Sequence, residues 1–297
     1  MQIIIENLNK IYGNGNHAVK NVDLKIPTGM FGLLGPNGAG KSTLMRILVT
    51  LMKPSSGKVT VNGLDLLKDR WQIRPMLGYL PQDFHFFPNL KTYEFLDYTA
   101  CLAGLRAAGK RHRAVDQMLE EVGLFEARDR SANKLSGGMK RRLGIAQALI
   151  NDPKIIIVDE PTTGLDPEER IRFRNLLSKI SRKDVIIILS THIIGDISST
   201  CHNMALLNRG QVAFTGSPGQ LINEARGHVW LLKATETEYL EINEKFPVIS
   251  TIPADGGWEV QVVADEVNGY HGEPIEPNLE HAYVYFMEKK LNQWTNA

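Results

Sequence analysis

Short apolar runs, each bounded by turn residues, recur along the first part of the chain and predict β-strands. These runs occupy residues 2–5, 22–26, 30–34, 58–61 and 77–80. A glycine-rich segment at 35–41 follows the third run, and the pattern over 42–51 predicts a helix. A strand, a glycine-rich loop and a helix therefore follow one another directly.

The pattern then becomes helical over residues 83–134, with amphipathic stretches at 92–105 and 112–122. Strand signals return at 155–158, 185–190 and 204–208, separated by helical segments at 168–180 and near 193–200. Apolar runs that alternate with helices are typical of buried strands in a mostly parallel sheet. We therefore predict an α/β core.

A terminal hairpin at 211–216 and a short helix at 218–224 close this core, and the pattern restarts after residue 226. Strand-like runs at 229–232, 247–252 and 258–263 then combine with helical stretches at 236–245 and 280–290. The predicted organisation is a core domain at 1–226, with a helical subdomain at about 83–150, and a small α+β appendage at 227–297.

The composition is that of a soluble globular protein, with 297 residues of which 43% are hydrophobic and 23% charged. Lys and Arg total 34 against 33 Asp and Glu, for a net charge of +1. Because the positive and negative charges are so nearly balanced, we expect no overall electrostatic field that would steer the chain onto nucleic acid. We therefore expect no nucleic-acid partner. The two cysteines, Cys101 and Cys201, are expected to be reduced thiols of a cytosolic protein.

No apolar run approaches the length of about 20 residues that a membrane-spanning helix needs. The first residues, Met-Gln-Ile-Ile-Ile-Glu, also lack the basic start and long apolar core of a signal peptide. If the protein works at a membrane, we expect it to do so from the cytoplasmic side through a partner.

Residues 35–42 read Gly-Pro-Asn-Gly-Ala-Gly-Lys-Ser and fit the phosphate-binding pattern G-x-x-x-x-G-K-[ST], between a strand and a helix. The glycines allow backbone N–H groups to turn onto phosphate oxygens, and the helix N-terminus adds partial positive charge. Lys41 can reach the β- and γ-phosphates, and the Ser42 hydroxyl can bind Mg²⁺. The predicted nucleotide-binding residues here are Asn37, Gly38, Ala39, Gly40, Lys41, Ser42 and Thr43.

Two adjacent carboxylates, Asp159 and Glu160, end the apolar run Ile-Ile-Ile-Val. Ligands of open α/β sheets bind at the carboxyl ends of the strands, which places both acids beside the phosphate loop. We predict that Asp159 belongs to the Mg²⁺ shell and that Glu160 deprotonates the attacking water.

Residues 135–139, Leu-Ser-Gly-Gly-Met, resemble the signature loop L-S-G-G-Q of the ATP-binding cassette (ABC) ATPases. Tyr12, Gln82, Asp166 and His192 stand in the order of that family's adenine-stacking aromatic, Q-loop, D-loop and switch histidine. The resemblance covers about residues 1–222. It implies a P-loop NTPase core with an N-terminal antiparallel β subdomain and a helical subdomain.

The resemblance also implies roles for these residues. Gln82 would touch Mg²⁺ or the water, His192 the γ-phosphate, and Tyr12 the adenine. Ser136, Gly137 and Gly138 open a helix and form a second anion site, which in the family caps the ATP of the other subunit. Taken singly, each has a plainer interpretation: a surface glutamine, a structural histidine, a strand-end tyrosine and a loop before a helix.

Two departures from the family pattern stand out. Met139 replaces the signature glutamine, but the phosphate-facing Ser and Gly residues are intact, so we expect activity to survive. Gly195 and Asp196 replace the acidic pair that often follows the switch histidine, at positions not expected to touch nucleotide.

The run Asp-Phe-His-Phe-Phe-Pro at 83–88 follows Gln82 directly. Phe84, Phe86 and Phe87 could form a small local core, or an apolar groove for a cytoplasmic helix of a transmembrane permease subunit. The family's groove lies beside the Q-loop, which favours the second interpretation. The basic run at 140–142 is expected to be a solvated helix face.

The resemblance implies an ATP-hydrolysing, Mg²⁺-dependent transporter subunit that works as a homodimer or paired cassette on the inner face of the cell membrane. Residues 277–285 resemble the terminal helix of bacterial ABC exporter ATPases and favour export. The alternative is a soluble regulatory ATPase of the same family without a transport partner. Co-purification with a multi-spanning membrane protein would distinguish the two.

Overall fold

The computed structural model describes residues 1–84, 86–87, 89–181 and 184–290, of which 289 and 290 by their backbone alone. The chain divides into two compact units, Met1–Thr215 and Gly216–Ala297. The division precedes the boundary expected at residue 226 because the helix Pro218–Glu224 contacts the helix Leu279–Tyr285. Residues 85 and 88 of the aromatic run and 291–297 of the predicted appendage lie outside the described residues.

The first unit contains most of the predicted elements. Its strands are β1 (Gln2–Ile11), β2 (His17–Pro27), β3 (Gly29–Leu34), β4 (Ser56–Val61), β5 (Leu64–Asp65), β6 (Leu77–Leu80), β7 (Ile155–Asp159), β8 (Ile186–Thr191), β9 (Asn203–Asn208) and β10 (Gln211–Gly216). Its helices are α1 (Lys41–Leu48), α2 (Arg70–Ile73), α3 (Thr92–Leu102), α4 (Ala108–Glu121), α5 (Gly137–Leu149), α6 (Pro167–Ser181) and α7 (Ile194–Thr200).

A six-stranded sheet in the order β10-β9-β3-β8-β7-β6 forms the centre of this unit. The pairs β3/β8, β3/β9, β7/β8 and β6/β7 are parallel, as the apolar runs predicted. Every residue of β7 and β8 is buried, which suits strands covered on both faces. The carboxyl ends of these parallel strands share one edge, so the segments that follow β3, β6, β7 and β8 meet there.

An antiparallel sheet in the order β2-β1-β4-β5 stands beside the central sheet and confirms the predicted N-terminal β subdomain. One hydrophobic cluster joins the two sheets through α1: Ile3 and Ile5 of β1 share it with Leu44 of α1, Ile157 of β7 and Ile188 of β8. This packing fixes the end of β1, and with it Tyr12, relative to α1.

The helical subdomain consists of α3, α4 and α5, which contact one another pairwise. Each contributes apolar side chains to the interior, such as Leu96 of α3, Leu119 of α4 and Leu143 of α5, all fully buried. Ser136 caps α5 because its hydroxyl accepts a hydrogen bond from the backbone N–H of Met139 at 3.2 Å.

The second unit is a four-stranded antiparallel sheet with three helices. Its elements are α8 (Pro218–Glu224), β11 (Val229–Ala234), α9 (Glu236–Lys245), β12 (Val248–Ala254), β13 (Gly257–Val263), β14 (Gly272–Pro274) and α10 (Leu279–Tyr285), which a π-helical turn at Phe286–Lys290 extends. The strand order is β12-β13-β11-β14. The short strand β14 was not predicted, because three residues carry no readable period.

Charge is distributed unevenly between the two units. Lys and Arg outnumber Asp and Glu in the first unit, and the reverse holds in the second. The overall charge of +1 therefore combines one basic and one acidic unit, so each unit by itself carries a net charge that the overall balance does not show.

Across the ranges that the structure describes, the helices are all too short or too polar to cross a lipid bilayer.

Candidate nucleotide-binding and hydrolysis site

The glycine-rich loop joins β3 to α1 and is shaped by a residue that must be glycine. Gly40 caps α1 with φ near 103°, a left-handed conformation. A Cβ atom at Gly40 would also meet the carbonyl oxygen of Ala18 at 2.3 Å. The loop can adopt this path only because the side chain is absent.

A cavity of about 470 Å³ lies over this loop. Residues predicted from four separate parts of the sequence share its wall, together with two that were missed. The lining residues are Tyr12, Asn16, Ala18, Asn37, Gly38, Ala39, Gly40, Lys41, Ser42, Thr43, Gln82 and Glu160. Asn16 and Ala18 lie around the start of β2, a few residues after Tyr12. Their closeness to Tyr12 in the sequence was the only signal that could have predicted them as lining residues. The Tyr12 hydroxyl lies 3.0 Å from Oγ1 of Thr43, which links β1 to α1 at the cavity.

Lys41 is buried at the first position of α1, with 5% of its surface exposed. Its Nζ donates to the carbonyl oxygens of Gly35 at 2.7 Å and Pro36 at 3.2 Å, and lies 3.6 Å from Oε1 of Glu160. Burial lowers the pKa of Lys41, while the charges of Glu160 and Asp159 raise it. The ammonium group therefore gains from every additional negative charge in the cavity.

Asp159 ends β7 with only 2% of its surface exposed. Its Oδ1 atom is buried and, within the described part of the chain, accepts no hydrogen bond. The same holds for Oγ of Ser190, the residue that pairs with Asp159 across β7 and β8. A buried carboxylate oxygen without a donor fits a cation or a water molecule bound to one.

The residues present fit Mg²⁺ in particular. The described residues hold no group of three or more His, Cys, Asp or Glu side chains that could enclose a metal by themselves. Mg²⁺ is usually held by one or two protein ligands, with water and substrate phosphates completing its shell. Asp159 and the hydroxyl of Ser42 can supply that small number of oxygens.

Glu160 follows β7 directly and is also buried, at 6% exposure. Its backbone has φ near 48°, a left-handed conformation that is unusual for a residue with a side chain. Its Oε2 atom lies 2.7 Å from Nδ1 of His192 and accepts a hydrogen bond from Oγ1 of Thr163 at 3.2 Å. The carboxylate is therefore held by His192 after β8, by Thr163 of its own turn and by Lys41 of α1, which lies near Oε1.

His192 follows β8 and is 43% exposed, in contact with Glu160. Gln82 follows β6 and is exposed, and its side chain lines the cavity. The structure thus brings Tyr12, the glycine-rich loop, Gln82 and Glu160 around one space, with His192 behind the carboxylate.

Six of the predicted residues are not among those that line this cavity: Asp159 and His192, which adjoin Glu160, and Ser136, Gly137, Gly138 and Asp166. Ser136 and Gly137 are exposed and Gly138 is half-buried at the start of α5. Asp166 is exposed, and its Oδ1 accepts a hydrogen bond from the backbone N–H of Glu169 at 2.8 Å, at the start of α6. Ser136, Gly137, Gly138 and Asp166 therefore lie at the N-terminal ends of α5 and α6, outside the lining of the 470 Å³ cavity.

The basic run at 140–142 is not the solvated helix face that the sequence suggested. Arg141 donates to the backbone carbonyls of Glu160, Pro161 and Gln82, and Arg142 lies 3.3 Å from Glu169. Arg141 and Arg142 each stand four residues after a glycine, Gly137 and Gly138. This i, i+4 spacing places them on the side of α5 where Gly144, Ile145 and Ala148 are buried. That spacing could have revealed them.

Asp196 is another polar residue whose position the sequence did not reveal. It is 3% exposed, and its carboxylate accepts a hydrogen bond of 2.5 Å from the Thr162 hydroxyl. This bond ties α7, which follows His192, to the segment that follows Glu160.

Comparison with known proteins identifies the family. The model of the family described as ABC transporter matches residues 19–163. The ABC transporter ATP-binding protein YxlF of Bacillus subtilis is 35% identical over 249 residues, which cover 84% of this chain and 81% of that protein. This chain belongs to the ABC transporter ATP-binding proteins. The first unit therefore has the fold of an ABC ATPase cassette, which is the P-loop NTPase fold that the sequence predicted.

Two further comparisons are informative about this ABC cassette. The probable multidrug ABC transporter ATP-binding protein YbhF of Escherichia coli is 35% identical over 221 residues, which cover 74% of this chain and 38% of that protein. The bacterial ABC transporter cassette MJ0796 matches with a TM-score of 0.67 and 28% identity, over 72% of this chain and 98% of that one. That cassette has been solved as a dimer, including a post-hydrolysis state bound to ADP and Pi.

Proposed function

We propose that this ABC cassette hydrolyses ATP with Mg²⁺ and thereby powers transport through a separate membrane subunit. The observation that carries the proposal is the 470 Å³ cavity, whose wall combines the phosphate-binding loop with Gln82 and Glu160. The groups that would bind ATP and the candidate general base therefore line the same cavity, as hydrolysis of bound ATP requires.

The phosphates would lie on the loop at the N-terminus of α1, where backbone N–H groups and the helix dipole favour negative charge. Lys41 would exchange its carbonyl partners for the β- and γ-phosphate oxygens. Tyr12, whose hydroxyl bonds to Thr43, would stack on the adenine.

Ser42, Asp159 and Gln82 would hold Mg²⁺, Asp159 through the buried oxygen that has no other donor. The ion would neutralise charge on the β- and γ-phosphates during transfer. Glu160 would accept the proton of the water that attacks the γ-phosphorus, while the bond to the bridging oxygen of ADP breaks. His192, 2.7 Å from that carboxylate, would keep it oriented and reach the γ-phosphate.

The active form would be a pair of cassettes. Ser136, Gly137 and Gly138 lie outside their own cavity, at the start of α5, where backbone N–H groups can receive an anion. In a head-to-tail pair they would cap the ATP of the other cassette, with Asp166 nearby. The dimeric MJ0796 cassette supports this arrangement.

A permease subunit would dock in a second cavity, of about 740 Å³, that Phe84 lines together with Leu51 and Leu102. Leu51 and Leu102 are 69% and 70% exposed, which is a large apolar surface for a single chain to leave in water. Phe87, at 53% exposure, extends this surface, whereas Phe86 packs edge-on against Phe84 and Phe95 as local core. Of the three phenylalanines, Phe84 and Phe87 are thus the better contacts for a partner.

Docking of this kind would place the cassette in the cytoplasm, peripheral on the inner face of the membrane. The multidrug designation of YbhF favours export over import. So does the helix α10, which forms where the terminal exporter-like segment was recognised.

The second unit would regulate closure of the paired cassettes rather than bind ATP. None of the described residues that line the 470 Å³ cavity belongs to it. Deleting residues 216–297 should therefore leave ATP affinity unchanged and alter the rate of dimer formation. If the deletion does not change dimerisation, the second unit is a passive extension and does not regulate closure.

The proposal is tested by ATP hydrolysis of the full chain with and without Mg²⁺. We expect Lys41→Ala to lose both ATP affinity and ATP hydrolysis. Chelation of Mg²⁺ should abolish ATP hydrolysis by the parent protein. Lys68→Ala, at an exposed lysine, is the matched control and should behave like the parent. Parental hydrolysis by Lys41→Ala, or in the absence of divalent cations, would refute the assignment.

A further inference from the structure

The guanidinium of Arg141 bonds to backbone carbonyls on two separate loops. Nε donates to the carbonyl of Pro161 at 2.7 Å, and Nη2 donates to that of Glu160. Nη1 donates to the carbonyl of Gln82 at 2.8 Å. A single side chain on α5 therefore joins the segment after β6 to the segment after β7.

This arrangement needs an arginine rather than any basic residue. The guanidinium presents five N–H donors in a fixed planar fork, so it can serve several carbonyls at once. A lysine has one nitrogen and could reach only part of this set. Burial lowers the pKa of Arg141, while Asp159, Asp83 and Glu160 raise it, and an arginine stays protonated under both influences.

The bond to Glu160 stabilises an unfavourable backbone conformation. A left-handed backbone conformation is unfavourable for a residue that has a side chain, and such residues persist only where neighbours hold them. At Glu160 the backbone N–H donates to the carbonyl of Ser190 at 3.0 Å, and the carbonyl accepts from Arg141. The direction of the Glu160 carboxylate follows from the backbone that these two bonds fix.

The Nη1 atom of the Arg141 guanidinium reaches the segment that contains Gln82, the Q-loop. Gln82 lines the 470 Å³ cavity, and Pro81, whose carbonyl lies 3.4 Å from Nη1 of Arg141, lines the 740 Å³ cavity. A displacement of this loop would therefore be passed through Arg141 to the backbone of Glu160.

We propose that Arg141 is a positioning residue for ATP hydrolysis, which holds Glu160 in its left-handed conformation and couples it to the Q-loop backbone. The inference rests on the proposed role of Glu160 as the general base. Arg141 is not among the described residues that line the 470 Å³ cavity, so its effect should fall on kcat and not on ATP affinity.

The test uses the full chain with Arg141→Lys and Arg141→Gln, compared with Arg113→Lys at an exposed arginine of α4. Misplacement of a reacting group by about 1 Å can cost about 10²-fold in rate. We therefore expect kcat to fall between about 10- and 100-fold in both Arg141 variants, with KM and Kd for ATP close to those of the parent. Arg113→Lys should match the parent in all three quantities.

A second measurement separates positioning from a general loss of structure. Guanidinium chloride, at concentrations below those that unfold the chain, should restore part of the hydrolysis lost in Arg141→Ala and should not raise that of Arg113→Ala. Rescue at Arg141 alone would show that the missing group is a local hydrogen-bond donor.

Each outcome decides the inference. Parental kcat in folded Arg141→Lys and Arg141→Gln overturns it, and so does an equal loss of affinity and rate. If neither variant folds, Arg141 is required for folding rather than for positioning Glu160, and this result also overturns the inference. If Glu160→Gln hydrolyses ATP like the parent, the proposed function fails instead. An inactive Glu160→Gln beside a normal Arg141→Lys would reject the Arg141 inference alone.

Discussion

Nδ1 of His192 lies 2.7 Å from Oε2 of Glu160, so the residue after β8 touches the residue after β7. The other oxygen of the same carboxylate lies 3.6 Å from Nζ of Lys41 at the start of α1. Three segments that are distant in sequence thus converge on one buried acid. A substitution at Glu160 therefore changes this convergence point while the sequence of the glycine-rich loop stays intact.

The glycine at the start of α1 gives a first prediction. Gly40→Ala would place a methyl group at φ near 103° and 2.3 Å from the carbonyl oxygen of Ala18. The left-handed conformation alone costs roughly 1–2 kcal/mol, and the carbonyl is backbone that cannot turn aside. We expect ATP affinity, measured by calorimetry or nucleotide fluorescence, to fall by about tenfold or more.

The matched control is Gly109→Ala in α4, where an added Cβ would meet no atom within 4 Å. Alanine is favoured over glycine in a helix by roughly 0.5–1 kcal/mol. This variant should keep parental ATP affinity and be slightly more stable. Equal affinities in the two variants would contradict the assigned path of the loop.

The second prediction concerns the paired cassettes. Ser136→Arg places a long cation at the exposed start of α5 and should prevent a second cassette from closing there. In a Glu160→Gln background, light scattering should show an ATP-dependent increase in mass that Ser136→Arg abolishes, while each chain still binds ATP.

Ser136→Ala is the control, because it removes the same hydroxyl that caps α5 without adding bulk. Loss of the cap costs about 1 kcal/mol, so this variant should be less stable and still dimerise. If Ser136→Arg dimerises like its background, the start of α5 does not close the site.

The cassette fold could be predicted from sequence because its strands are continuous apolar runs. β7 and β8 are buried throughout, so their composition alone marks them, and the glycine-rich loop after β3 has a fixed spacing. The acids at the end of β7 then lie at the edge where ligands bind in such sheets.

Arg141 and Asp196 could not be assigned in the same way. A polar side chain acquires its partners from loops that are distant in sequence. Helical spacing can indicate that such a side chain is buried, but it does not identify the partners. The sequence predicts a solvated side chain at Arg141, yet its N–H groups donate to carbonyls nineteen to sixty positions away. The bond between Asp196 and Thr162 spans 34 positions.

A third prediction tests the proposed docking surface. Leu102→Asp would place a charge at a residue that lines the 740 Å³ cavity and is 70% exposed. We expect loss of the co-purifying multi-spanning membrane protein, with basal ATP binding unchanged. Leu240→Asp, at a leucine of α9 that is 61% exposed, should retain that partner. Retention by a folded Leu102→Asp chain would exclude this cavity as the docking surface.

The fourth prediction uses the two thiols. Burial raises the pKa of Cys201 to about 11, whereas Cys101 is exposed. At pH 8 a thiol with that pKa is about one-thousandth ionised, against about a quarter for an ordinary one. A thiol reagent should therefore label Cys101 rapidly and leave Cys201 intact. Cys101→Ser should be unreactive until denatured, and rapid labelling of the folded variant would contradict the burial of Cys201.

The most direct test of the account is the rate of a single turnover of bound ATP by the full-length Glu160→Gln chain. The glycine-rich loop proposed to bind the phosphates is unchanged in this variant, so ATP should bind as in the parent. Loss of a general base should slow hydrolysis by about 10²–10⁴-fold. Glu126→Gln, at an exposed glutamate, should turn over like the parent. Near-parental hydrolysis by Glu160→Gln would contradict the assignment of Glu160 as the base and, with it, the mechanism proposed for this cassette.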